Sequence, residues 1–250
     1  MSEHNIVLVV EGADDEIRLF KKILALFPEI NVPEDNILVF NTNLWVLNDT
    51  LTAEFGSDWY IEDIDFRTFL QAKFPEIKGK KVTDIFLVFD YERQDPRFDA
   101  SALEKMCEFF CDSVENGKLY INYPMVESFR HLTAKPLPDD GYKERKCRVS
   151  ELRSYKKTVG AETKYQDYRK LDRGLVQQII EHNIKKASFV TGNTYQLDGD
   201  ILLAAAEGTD HLEIVRCQNS FSSGDEGFVY VLCTCVFFVT DYNSALLTKI

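Results

Sequence analysis

Ile6-Val7-Leu8-Val9-Val10-Glu11-Gly12-Ala13-Asp14-Asp15 and Ile85-Phe86-Leu87-Val88-Phe89-Asp90-Tyr91-Glu92 are the stretches that decide the fold. Each opens with an unbroken apolar run of five residues and stops on a carboxylate. Runs without polar alternation suit strands covered on both faces of a parallel sheet. In open α/β sheets, ligands bind beyond the carboxyl ends of the strands. If the two strands are neighbours, Glu11, Asp15, Asp90 and Glu92 converge there. In extended chain the one-residue spacer puts Asp90 and Glu92 on the same side, with Tyr91 turned away into packing. Unrelieved, such carboxylates repel one another strongly. A hard divalent cation, Mg2+ or Mn2+, is the economical reason to assemble them. Glu127, just after a third strand ended by Pro124, is a further candidate metal ligand. Asp15 also reads as an ordinary acid at a helix start, where negative charge suits the helix dipole.

Outward from these strands, the pattern is strand, helix, strand, helix, strand. A helix is expected over 14–27, with Ile17, Phe20, Ile23, Leu24 and Phe27 at helical spacing. A second strand is expected over 36–40, helices over 42–56 and 64–74, the strand at 85–89, a helix over 101–111 and a strand over 118–124. A helix start is expected at 126–132. This alternation implies an α/β domain with a parallel sheet and right-handed crossovers, over about residues 1–135. The Pro136-Leu137-Pro138-Asp139-Asp140-Gly141 cluster reads as a loop and subdomain boundary. Beyond it, 142–250 is expected to be mainly helical, over about 145–158, 170–188, 196–218 and 224–240. Residues 228–240 have strand propensity through Val229, Tyr230, Val231 and Val236, but their length and context favour a buried helix.

The 250-residue chain has a net charge of −12 and an ordinary globular composition. It lacks any apolar run long enough to span a bilayer, and its first residues lack the cationic start of a secretory signal. A cytoplasmic protein with no membrane partner is the expectation. The six cysteines show no zinc-ligand spacing and read as free thiols. Charge is uneven. Residues 143–173 hold eleven Lys or Arg against five acids, a local +6 that leaves −18 elsewhere. Lys143, Arg145, Lys146, Arg148, Arg153, Lys156 and Lys157 are therefore candidate contacts to a DNA or RNA backbone. A solvated mixed-charge surface explains the same pattern. Tyr155, Tyr165 and Tyr168 read as packing residues, with base stacking as the alternative. Lys118, Arg93 and Arg130 are candidate phosphate contacts, and His131 reads as structural. The phosphate-binding loops of ATPases and dinucleotide enzymes are missing, so any ATP chemistry would come from another subunit.

The Val-Val-Glu-Gly-x-x-Asp-Asp start, followed by a helix and later by a hydrophobic strand ending in Asp-x-Glu, resembles a Toprim domain over roughly residues 5–130. The family pattern is a glutamate after the first strand and Asp-x-Asp after a later one. Glu11 and Gly12 match the first element, Asp15 a frequent second acid, and Asp90 and Glu92 the Asp-x-Asp positions. Glu92 departs from the pattern and puts a strict two-metal geometry in doubt. The resemblance implies a Mg2+-dependent nuclease with Glu11, Asp15, Asp90 and Glu92 as catalytic acids. It extends to small overcoming-lysogenization-defect-like nucleases, toxic effectors of bacterial antiviral defence that often work beside an ATPase. An oligomer is compatible with this reading. Two other readings stand beside it. One is a non-catalytic binding or regulatory subunit on the same fold. The other is a phosphatase of the haloacid dehalogenase kind, with Asp90 as nucleophile.

Overall fold

The computed structural model describes residues 5–12, 14–224 and 226–247. Strand β1 (Ile6–Val10) is buried at every position. Helix α1 (Asp15–Leu26) follows and turns Leu19, Phe20 and Ile23 inward. Strand β2 (Ile37–Val39) leads to α2 (Leu44–Phe55), whose first turn is capped by the Asn43 side chain accepting from the Val46 amide. Helix α3 (Phe66–Lys73) precedes β3 (Asp84–Asp90), which is buried from Ile85 to Phe89. Then come α4 (Ala100–Phe109), β4 (Cys111–Asp112) and β5 (Gly117–Tyr123). The sheet order is β2-β1-β3-β5-β4, parallel except for the β4–β5 pair. An α/β chain with a mostly parallel central sheet is thus observed, and the two acidic strands are direct neighbours.

The second half, expected to be mainly helical, departs from the expected spans. Residues 145–158 form β6 (Lys146–Arg148) and a 3-10 turn before α5 (Tyr155–Glu162) begins. Helix α6 (Arg173–Val190) falls near its expected place. The expected helix over 196–218 is two helices, α7 (Gly199–Glu207) and α8 (His211–Phe221). Gly208 ends the first, and Asp210 caps the second by accepting from the Glu213 amide at 3.1 Å. The expected helix over 224–240 is instead β7 (Phe228–Tyr230), β8 (Leu232–Cys233), a 3-10 turn and the short α9 (Phe238–Tyr242). Long-range pairing decides this. β7 pairs with β6, and β8 adds antiparallel to β5, with Asn122 opposite Cys233. Residues 231–240 are all buried, so their hydrophobicity has no period that could distinguish helix from strand. Residues 126–130, expected to start a helix, form one 3-10 turn. A single buried cluster runs from Ile6 to Leu247. Among the described residues, no helix is long and apolar enough to cross a membrane.

Candidate metal centre

The parallel pairing of β1 and β3 sets Val10 beside Val88 and brings the strand ends side by side. The Glu11 amide continues the ladder by donating to the Val88 carbonyl at 3.1 Å. Glu11 Oε2 in turn accepts from the Asp90 amide at 3.0 Å. Asp90 Oδ1 accepts from the Val126 amide at 2.8 Å, so the 3-10 turn after β5 orients this carboxylate. Glu11, Asp90 and Glu92 each offer an oxygen within 4.8 Å of the other two. Three carboxylate oxygens at this separation could hold one small divalent cation such as Mg2+.

Glu92 arrives by a different route from strand alternation. β3 ends at Asp90, and the Tyr91 amide donates to the Asn122 carbonyl at 3.1 Å. Glu92 then takes a left-handed backbone with φ 46°, an uncommon conformation for a residue with a side chain. This turn brings the Glu92 carboxylate back to the strand ends. Gln94 donates to its Oε2 at 2.9 Å. Tyr91 is buried, as its packing role requires, and donates to Asn219 at 2.7 Å.

The cluster is electrostatically strained. Burial, together with the charges of Glu92 and Glu16, pushes Glu11 up to about 8 against the lowering effect of the Asp90 amide. Burial first, then Glu11, Glu16, Glu127 and Glu92, holds Asp90 well above the carboxylate range. Glu92 is raised by burial and by Asp95. Groups that resist ionisation for want of a counter-charge are what a divalent cation relieves, and an all-oxygen donor set suits Mg2+ or Mn2+.

Asp15 and Glu127 stand beside this group, bridged by a lysine. Lys156 Nζ lies 2.8 Å from Asp15 Oδ2 and 2.6 Å from Glu127 Oε1. Burial opposes ionisation of Asp15, but the Lys156 hydrogen bond and the charges of Lys156, Arg130 and Arg18 outweigh it and lower its pKa. Glu127 is 2 % exposed, and Lys156 is the cation paired with it.

Three participants were not legible as site residues. Glu16, in the first turn of α1, is buried and raised by burial and by Glu127 and Asp15. Its room comes from Gly12, where an added Cβ would meet Glu16 Oε2 at 3.0 Å. Asn122 is fully buried in register with Asp90. Lys156, a candidate nucleic-acid contact by its place in the basic stretch, sets its amine between Asp15 and Glu127. Spacing gave a clue only for Glu16, five residues after Glu11.

The other expected basic contacts disperse. Arg145 is held by Asp139 at 2.9 Å and donates to the His131 carbonyl. Lys143 lies over the Phe189 ring and Lys146 over Phe228. Arg148, Arg153 and Lys157 are exposed, with no ion pair among the described residues. Lys118 lies near the start of β5, at the opposite end of the sheet from the acids, and pairs with Asp241 at 2.8 Å. Arg93 lies over Phe98. His131 contacts Tyr155 and Glu162, as a structural histidine would. Tyr155 and Tyr165 are buried. No protein-family model, curated protein or solved structure matches this chain.

Proposed function

We propose that this chain is a metal-dependent phosphodiesterase acting on nucleic acid, with Glu11, Asp90 and Glu92 as its metal ligands. The observation that carries the reading is the meeting of these three carboxylates at the carboxyl ends of adjacent parallel strands. When bound, Mg2+ or Mn2+ would polarise a phosphoryl oxygen and supply an acidified water. Hydrogen bonds from the Asp90 and Val126 amides hold Glu11 and Asp90 in position. Asp15, held ionised by Lys156, is a weak proton acceptor. Glu16, whose pKa is raised by its burial, is the stronger base of the two. Lys156 adds positive charge beside the acids, where an approaching phosphate needs it.

The order of the motifs, glutamate after β1 and Asp-x-Glu after β3, supports a Toprim-like assignment. On that likeness, we further read the chain as the nuclease effector of a bacterial antiviral defence system acting with a separate ATPase subunit. The test is cleavage of plasmid, single-stranded DNA and total tRNA in Mg2+, Mn2+ or EDTA, by the wild-type protein and by Glu11→Gln and Asp90→Asn. Cleavage is expected only with metal and only by the wild type. Full cleavage by both variants would overturn the assignment.

A further inference from the structure

Beside the acids lies a cavity of about 460 Å3, lined in part by Asp15, Arg18, Lys22, Arg130, Tyr168 and Arg169. We propose that it is a phosphate-binding subsite that holds a backbone phosphodiester of the nucleic-acid strand next to the one being cleaved. The proposal rests on the phosphodiesterase reading and names where its substrate is gripped.

Four observations carry it. First, the lining is cationic on an acidic chain. Arg18, Lys22, Arg130 and Arg169 face two acids, Asp15 and Asp167, while the whole chain carries −12. A polyanion repelled elsewhere needs such a local focus. Second, donors there are uncommitted. The Arg130 side chain makes no hydrogen bond or ion pair among the described residues, and its Nε is buried without a partner. The Tyr168 hydroxyl is likewise buried and unpartnered. Among the described residues, Lys22 Nζ has only a 3.4 Å contact to the Arg169 carbonyl. Buried donors of this kind call for an acceptor, and a planar guanidinium matches a phosphate by paired hydrogen bonds. Third, the two lining acids are already neutralised. Asp167 receives two hydrogen bonds from Arg169, and Asp15 is paired with Arg18 and Lys156. Arg130 and Lys22 are thus the charges left for a ligand. Fourth, the cavity adjoins the metal ligands. Asp15 lines it, Lys156 links Asp15 to Glu127, and Glu127 acts electrostatically on Asp90.

The experiment is fluorescence anisotropy with labelled single-stranded 12-nucleotide DNA and RNA, in EDTA, from 50 to 200 mM salt. The proteins are the wild type, the double variant Arg130→Ala/Lys22→Ala and, as a control, Lys81→Ala, an exposed lysine before β3 at the end of the sheet away from the acids. The double variant is expected to bind at least ~10-fold more weakly at low salt. Its plot of log affinity against log salt should lose a slope of ~1.4, about 0.7 per phosphate contact on a single strand. Lys81→Ala should match the wild type. Inorganic phosphate should compete with the oligonucleotide on the wild type and not on the double variant. Unchanged affinity and slope in the double variant overturn the proposal. So does a wild type that binds phosphate but no oligonucleotide, since the cavity would then serve a free anion. Metal is absent from the assay, and a Mg2+-induced thermal shift, followed in parallel, reports the acid cluster. Loss of oligonucleotide binding with that shift retained therefore separates failure of the subsite from failure of the metal centre.

Discussion

Replacing Glu11 by Gln should stabilise the metal-free protein at pH 8 while abolishing its response to Mg2+. The neutral amide is nearly isosteric, and its oxygen can still accept from the Asp90 amide. What it removes is a charge that the fold resists. Glu11 ionises near 4.5 in an ordinary setting and at about 8 in the native site. Its native pKa is raised, so the folded state holds a proton that the unfolded chain has released. Stability is complete below pH 4.5 and is lost as the pH climbs through 8. The slope is ~1.4 kcal/mol per pH unit, so the interval sums to at most ~5 kcal/mol. For a chain of this length 1 kcal/mol moves Tm by roughly 2–4 °C. Glu11→Gln should therefore melt at least ~5 °C above wild type at pH 8 in EDTA, and at the same temperature near pH 4.5. Saturating Mg2+ should narrow this gap, since a ligand at 100 times its Kd adds ~2.7 kcal/mol to wild type alone. Differential scanning fluorimetry at pH 4.5, 6 and 8, with and without metal, reads all of this. A metal-free wild type with a pH-independent Tm, or a Glu11→Gln protein that keeps its Mg2+ shift, would refute the electrostatic account.

Two other perturbations test separate parts of the site. Lys156→Met keeps the aliphatic stem but leaves Glu127 buried beside Asp15 without its partner. Because the lysine is 63 % exposed, the loss should be ~1–2 kcal/mol rather than that of a fully buried pair, read as a lower urea midpoint at pH 7.5. Glu92→Gly should be more stable than Glu92→Ala by ~1 kcal/mol, because glycine adopts φ 46° without strain. Both variants should lose Mg2+ affinity equally in titration calorimetry. An alanine variant as stable as the glycine one would show that the backbone there is unstrained.

The two central strands, and the acids that end them, were legible in the chain itself. An apolar run covered on both faces carries its environment in its composition, so Ile6–Val10 and the five residues before Asp90 could be recognised without knowing their neighbours. The helices α1, α2, α4 and α6 were legible for a similar reason, since each carries an inward stripe or a capping side chain within one turn. The meeting of Glu11 with Asp90 needed β1 and β3 to be adjacent, a relation between residues 79 apart in sequence. Glu92 reaches the site by a left-handed turn that alternation does not describe. Glu16 belongs to the cluster because Gly12 leaves it room, and Lys156 belongs because α5 packs across the 3-10 turn that carries Glu127. The C-terminal strands exist because β5 and β6 offer unpaired edges to a segment hydrophobic on every side. Local periodicity reports which face of an element is buried. Which carboxylate meets which cation, and which edge takes the last strand, depends on contacts between distant segments, and only the tertiary structure decides them.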